Sequence, residues 1–370
     1  MSLRKAFLIL IFLSLSNATV LLALGNSGAV YTMTNDPAGN NVLVFNRKAN
    51  GNLTAGGTFS TEGLGTGAPL GNQGAVVLNE NKKLLLVVNP GSDELSLFTV
   101  RKKELVLKDT VPSGGRNPIS VTVHDDLVYV LNAGGNVGDT DNISGFTIER
   151  RRNLVPIPNS TLPLSAAATN PAQISFDLDG DILIVTEKDT NIINSYTVDE
   201  NGNPTGPNSH PAAGIEPFGF AISSRHKLFI SEASGGAADA GAVSTYDFED
   251  DGTITNVNPS VPTTETATCW VVLTKNQKFA YVTNTGSASI TGFAVQDATI
   301  TLLDSDGVTA TTGAMPIDLA LSKNSRYLYS LNSGNGSISM FRINNEDGSL
   351  TSLGPDLIGL PPTANGLAAK

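Results

Sequence analysis

One cysteine, Cys269, and three histidines, His124, His210 and His226, are the only thiol and imidazole ligands in 370 residues. A lone cysteine excludes an internal disulfide and a multi-cysteine metal site, and three scattered histidines leave no histidine-rich centre. Neither a metal nor a cofactor is therefore expected. Charge is scarce as well. Asp, Glu, Lys and Arg make up 15% of the chain, where about 25% is usual, which excludes a coiled coil or a charge-swollen disordered chain. Basic residues are outnumbered 23 to 34, and the resulting net charge of −11 argues against nucleic acid or an anionic membrane as partner. Beyond the amino-terminal segment, no apolar run is long enough to span a bilayer.

Glycine, proline and apolar residues are plentiful: 37 Gly, 19 Pro and 40% hydrophobic residues. This is the composition of many short strands joined by tight turns. A chain of this length buries roughly three quarters of its unfolded surface, so a core needs no staples. At the amino terminus, Arg4 and Lys5 precede an apolar run from Ala6 to Leu15, followed by Ser16-Asn17-Ala18. That order is the pattern of an export signal. Residues 1–25 are read as the leader, cut after Ala18 or after Gly25, and residues 26–370 as a single domain outside the cytoplasm, extracellular or periplasmic. The apolar patch Val20 to Leu24 makes an uncleaved anchor the alternative; after cleavage no membrane insertion is expected.

One segment type recurs through the chain: a β-branched strand ending in Asn or Glu, a Gly/Asn turn, then a strand carrying an aromatic. The anchors are Asn35, Asn89, Asn132, Glu187, Glu232, Asn284 and Asn332, at intervals of 54, 43, 55, 45, 52 and 48 residues. The aromatics that follow are Phe45, Phe98, Phe146, Tyr196, Tyr246, Phe293 and Phe341. A period near fifty is that of a propeller blade. Short strands opening on proline precede most anchors, at Pro118, Pro171, Pro217 and Pro316, and proline at a strand's first position costs no ladder bond. Hairpin signals such as Asn50-Gly51, Asp251-Gly252 and Asp347-Gly348 follow the aromatic strands. The expected fold is all-β: a seven-bladed β-propeller with four antiparallel strands per blade. The first blade lacks an innermost strand, and Pro362-Thr-Ala-Asn-Gly-Leu-Ala-Ala supplies it, so the carboxy-terminal strand closes the ring and removes an open edge.

The motifs NPISVTV…LVYVLNAGG, NPAQISFDLDGDILIVTEKDTNIINSYTV, PFGF and PIDLALSKNSRYLYSLNSGNGSISMF resemble the seven-bladed lactonase family, over essentially the whole chain after about residue 26. That family includes bacterial 6-phosphogluconolactonase and fungal 3-carboxymuconate-lactonising enzyme. The resemblance implies the propeller fold and chemistry on a small lactone. In the family an inner-strand proline is followed by a histidine on the binding face. The matching pairs here are Pro118-Ile119, Pro171-Ala172, Pro217-Phe218 and Pro316-Ile317.

In a propeller the loops entering inner strands and those leaving second strands meet on one face, where a ligand is expected. The first set offers Gln73, Arg116, Asn117, Asn170, Glu216, Thr268, Met315 and Asn365; the second offers the anchors. Glu187, Glu216, Glu232 and Arg116 are read as a catalytic group. A crowded carboxylate serves as general base towards water and the guanidinium steadies the oxyanion. Asn132, Asn117, Asn170, Asn284, Asn332 and His210, in the loop before Glu216, are read as substrate contacts, against the plainer role of asparagine as a turn residue. His124 and His226 fall on the opposite face. Cys269-Trp270 reads as core. The turns Asp177-Leu-Asp-Gly-Asp and Glu249-Asp-Asp-Gly are hairpins rather than calcium loops, and the loop from Asn136 to Asn142 is the better of the weak divalent candidates. Two functions stay open. One is a metal-free hydrolase of a small lactone. The other is a non-catalytic propeller binding an extracellular protein or glycan. In either case the chain is expected to be a monomer.

Overall fold

The computed structural model describes residues 27–102 and 104–370; the leader read at residues 1–25 lies outside them. Seven antiparallel sheets of four or five strands follow one another along the chain. We number them as blades 1 to 7 by their second strands: Gly28–Met33, Leu84–Asn89, Leu127–Asn132, Ile182–Glu187, Lys227–Glu232, Phe279–Asn284 and Tyr327–Asn332. In blades 3, 6 and 7 the outermost strand is split into two short pieces, as in Leu350–Ser352 and Leu357–Ile358. The carboxy-terminal strand Asn365–Ala369 is the innermost strand of blade 1 and pairs antiparallel with Gly28–Met33, so the ring closes as the repeat pattern requires.

Blade stacking explains the sequence pattern. Each blade packs against a neighbour on both faces, so its second strand is buried throughout, as in Leu84–Asn89 and Ile182–Glu187, while the outermost strands alternate towards solvent. All seven repeated aromatics are buried in third strands. Second-strand tyrosines then tie blade to blade. Tyr129, Tyr281 and Tyr329 each donate a hydroxyl hydrogen bond to the carbonyl of the hairpin glycine of the following blade, Gly202, Gly348 and Gly51, at 2.6 to 2.7 Å. A buried phenol needs such a partner, and burial pushes the pKa of all three well above the usual value.

The axis is plugged. Gln73, expected on the binding face, instead reaches across to blade 6: its amide donates to the Val271 carbonyl at 2.9 Å and its Oε1 accepts the Val271 N–H at 3.1 Å. Gln173 makes the same pair of bonds with Phe220 of blade 5. The Trp270 indole donates to the Asn72 carbonyl at 2.7 Å. Gly219 leaves room for this plug, since a Cβ there would stand 2.1 Å from Gln73 Oε1 and 2.7 Å from the Cys269 carbonyl. Gly219→Ala is accordingly expected to lower stability by about 1–3 kcal/mol through overpacking, read as a shift in the urea midpoint at constant slope.

Candidate functional site

The site is built where inner strands begin and second strands end. The residues just before the inner strands, Asn117, Asn170, Glu216, Ala267 and Met315, all adopt left-handed backbone with φ between 50 and 59°. Each carbonyl there accepts the N–H of the residue one past an anchor: Ala133, Lys188, Ala233, Thr285 and Ser333. This clasp pins five blades to a common rim. Asparagine tolerates the left-handed region, whereas for alanine, methionine or glutamate it costs about 1–2 kcal/mol.

Above the axial plug the rim encloses a cavity of about 540 Å³. Its wall comes from the strand entries Glu216, Phe218, Ala267, Cys269, Trp270, Met315 and Ile317, from Ala233, Thr285 and Ser333, from Pro69 to Gly71, and from Pro362 to Asn365. The cavity is off-centre: among the described residues, none of blades 3 and 4 lines it. The wall is mostly apolar, and Phe218 and Trp270 pack at 4.9 Å between ring centroids.

Of the four residues read as a catalytic group, only Glu216 lines the cavity. It is half-buried; one oxygen, Oε2, accepts the Gly235 N–H at 2.6 Å, and its own N–H donates to Asn191 Oδ1. Glu187 is 0% exposed and is held within its own blade by Ser165, Thr190 and Asn194, all donating to its carboxylate. Glu232 is enclosed in the same way by the hydroxyls of Ser244 and Ser260, and burial raises its pKa. Arg116 lies outside the cavity, half exposed, 3.5 Å from Asp93. The expected convergence of three carboxylates and a guanidinium is thus not formed, because anchor side chains turn into the blade rather than towards the axis.

The amide candidates follow the same logic. Asn132, Asn284 and Asn332 are wholly buried. Asn284 and Asn332 donate to Ser or Thr hydroxyls of the third strand at 2.9 Å, and Asn132 accepts from Ser113 at 2.8 Å. They organise the turns and do not face the cavity. Asn117 and Asn170 occupy the rim clasp outside the cavity wall; Asn170 donates to Asp189 at 3.1 Å. His210 is not in a loop. It sits in the outermost strand Pro204–Pro211 with Nε2 3.2 Å from the Gly252 carbonyl of the next blade, and burial lowers its pKa. His226 falls after an inner strand, at the end opposite the cavity, within a cluster with Asp177 and Asp179. Asp177 Oδ1 there already accepts three N–H groups of its own turn. In the loop from Asn136 to Asn142, Asp141 is likewise committed to Gly135 and Thr169.

A residue outside the expected catalytic group, Lys188, stands one position past its anchor. Its side chain is buried; Nζ donates to the Gly71 carbonyl and stands 4.9 Å over the Phe218 ring, and both of these residues line the cavity. Burial lowers its pKa to about 8, against the opposing pull of Glu216, then Cys269 and Asp189. Cys269 lines the wall, but burial pushes its thiol up to about 12, so no thiolate nucleophile is present at neutral pH. The register signal was present in the sequence: Ala233, Thr285 and Ser333, at Lys188's position in their blades, all line the cavity.

Comparison places this architecture among known folds. A proposed 6-phosphogluconolactonase of Bacteroides fragilis superposes with a TM-score of 0.72 at 18% identity, covering 93% of this chain and 98% of its own. The periplasmic gluconolactonase of Pseudomonas aeruginosa gives 0.71 at 14%, covering 93% and 99%. A Lactobacillus plantarum protein gives 0.73 at 16%, covering 93% and 100%. Identities this low carry the fold alone. A search of curated proteins finds no match. The family model for the seven-bladed β-propeller lactonases matches residues 38–155 and 240–363, well over half of the sequence, and the chain belongs to that family.

Proposed function

We propose that the protein hydrolyses a small lactone in the off-centre cavity, with Glu216 as general base and the Lys188 ammonium as electrostatic support. The observation that carries this reading is a single carboxylate opening into an apolar cavity beside a buried cation. Glu216 takes a proton from water as the water oxygen bonds to the lactone carbonyl carbon, and the new oxyanion is steadied by the ammonium. The tetrahedral intermediate collapses with cleavage of the ring C–O bond, and the Glu216 carboxyl returns its proton to the departing alkoxide. The product is the open hydroxy acid. Glu187, Glu232 and the buried asparagines act here as positioning groups that hold the rim.

The reading needs no metal. What supports this is the anionic donor set at the wall: a single carboxylate, Glu216, beside a thiol kept protonated, with only neutral hydroxyl and amide oxygens besides. Action outside the cytoplasm rests on the leader pattern alone. Glu216→Gln is expected to lower kcat on γ- and δ-lactones by about 10²–10⁴ with an unchanged melting curve. Chelator treatment is expected to leave turnover intact. Full activity in the variant would remove Glu216 from the mechanism.

A further inference from the structure

The five rim residues in left-handed backbone divide by chemistry. Asn117 and Asn170, of a type suited to that conformation, stand in blades 3 and 4, which do not line the cavity. Glu216, Ala267 and Met315 have the same φ at an unfavourable residue type, stand in the three consecutive blades 5, 6 and 7, and all line it. Among these five rim positions, the strained residue types thus fall on the cavity side of the ring, where a side chain is in a position to touch a ligand. Met315 is moreover 51% exposed at the mouth, so it is also an unburied apolar group. Behind it lie Ile317, Trp270, Phe218 and Leu70. The residues that follow the inner-strand prolines of blades 5 and 7, Phe218 and Ile317, both stand at this wall.

Charge points the same way. Glu216 is the only ionisable carboxylate among the lining residues, and its charge is already balanced by the nearby cation, Lys188. A phosphate or a second carboxylate on the ligand would meet Glu216 with no free guanidinium in the described wall, in a protein of net charge −11. A polyol would leave most of its hydroxyls against carbon, at the cost of their hydrogen bonds to water.

Building on the hydrolase reading, we propose that the substrate class is a neutral lactone bearing an alkyl or aryl substituent. The substituent packs on Met315, Ile317, Trp270 and Leu70, with the ring carbonyl at the Glu216 end. A phosphorylated sugar lactone is excluded from the cavity.

Trp270 is the only tryptophan in the chain, so its fluorescence reports occupancy without turnover. The probe is the lactam analogue of δ-decalactone, which resists hydrolysis, titrated alongside 6-phosphogluconate. The lactam is expected to change the Trp270 emission saturably, and 6-phosphogluconate to leave it unchanged. Met315→Asn removes the apolar contact while suiting the left-handed backbone. It should weaken the lactam by about tenfold or more with Tm equal or higher, and Met315→Leu should restore binding. Undiminished lactam affinity in Met315→Asn, or tighter binding of 6-phosphogluconate than of the lactam, overturns the proposal. Lactam binding without hydrolysis of δ-decalactone itself would strike the hydrolase reading while leaving this ligand class standing.

Discussion

Replacing Lys188 with methionine is expected to remove lactone turnover and, at neutral pH, to leave the protein at least as stable as before. Burying the charge of a lysine that is only 6% exposed is costly, and its pKa is lowered from 10.5 to about 8, first by burial, with Glu216, Cys269 and Asp189 opposing. Below pH 8 both the folded and the unfolded chain hold the proton, so the full cost of burying the charge is present. Between about pH 8 and 10.5 the folded chain gives up its proton while the unfolded chain keeps it, so this group makes stability rise with pH. A shift of this size corresponds to roughly 3 kcal/mol. The methionine variant lacks that rise. The difference in unfolding free energy between the two proteins should therefore change by about that amount from pH 7 to pH 10.5, in favour of the native sequence. Tyrosine titration over the same range is common to both and cancels. Turnover should run the other way: an ammonium that steadies the oxyanion is worth about 10²–10³ in kcat, and native activity should fall as pH rises through about 8. A pH–rate profile that keeps its alkaline limb in Lys188→Met, or a stability difference that is flat with pH, would sink this account of the residue.

The same residue shows what the sequence made legible. The seven repeats could be read because their signals are the residues that blade stacking forces inside: Phe45 to Phe341 in the third strands and the amides that end the second strands. The propeller, its closure and the face that carries the cavity all followed from them. The site itself was displaced by one residue. The anchor side chains turn into their blades, whereas in blades 5 to 7 the residue that follows, Ala233, Thr285 or Ser333, lines the cavity. Reading Glu187 as the rim group therefore passed over Lys188. Its burial also depends on Gly71, more than a hundred positions away in sequence, and a lysine in isolation reads as solvated. Cys269 and Trp270, read as core, are indeed buried in a hydrophobic cluster, and they line the cavity as well. The cavity wall is itself apolar, so its composition does not differ from that of the interior. Arg116 could not be placed from its own neighbours, because its partner Asp93 belongs to the turn of the preceding blade. The strain at Glu216, Ala267 and Met315 was visible only as the absence of asparagine where Asn117 and Asn170 had it, a pattern that acquires meaning once φ is known.

Removal of residues 362–370 is expected to abolish cooperative folding. The strand Asn365–Ala369 is short, but four separate elements depend on it. It pairs with Gly28–Met33, whose inner edge would be left as a row of unpaired donors and acceptors open to other chains. Ala364, Leu367 and Ala369 pack in the cluster that joins blade 1 to blade 7 through Val30, Phe45, Tyr329 and Leu331. Asp318 of blade 7, wholly buried, accepts the Leu367 N–H at 2.7 Å, and burial already holds its carboxyl well above the usual range. Arg47 donates to the Lys370 carbonyl at 3.2 Å. Loss of one buried leucine costs about 2–5 kcal/mol, and each buried polar group left without its partner a further 1–3 kcal/mol or so. Together these are comparable with the 5–15 kcal/mol or so that holds a typical domain folded. The cavity would lose Pro362 to Asn365 from its wall at the same time, so ligand binding should disappear with the fold. Thermal unfolding followed by circular dichroism tests this, since the truncated chain should show no sharp transition. A synthetic peptide of residues 362–370 added in trans should restore one by strand addition. A truncated protein that melts as the full chain does would mean that the ring is held by blade stacking alone, and that the hydrogen-bonded closure between the two ends of the chain contributes nothing to it.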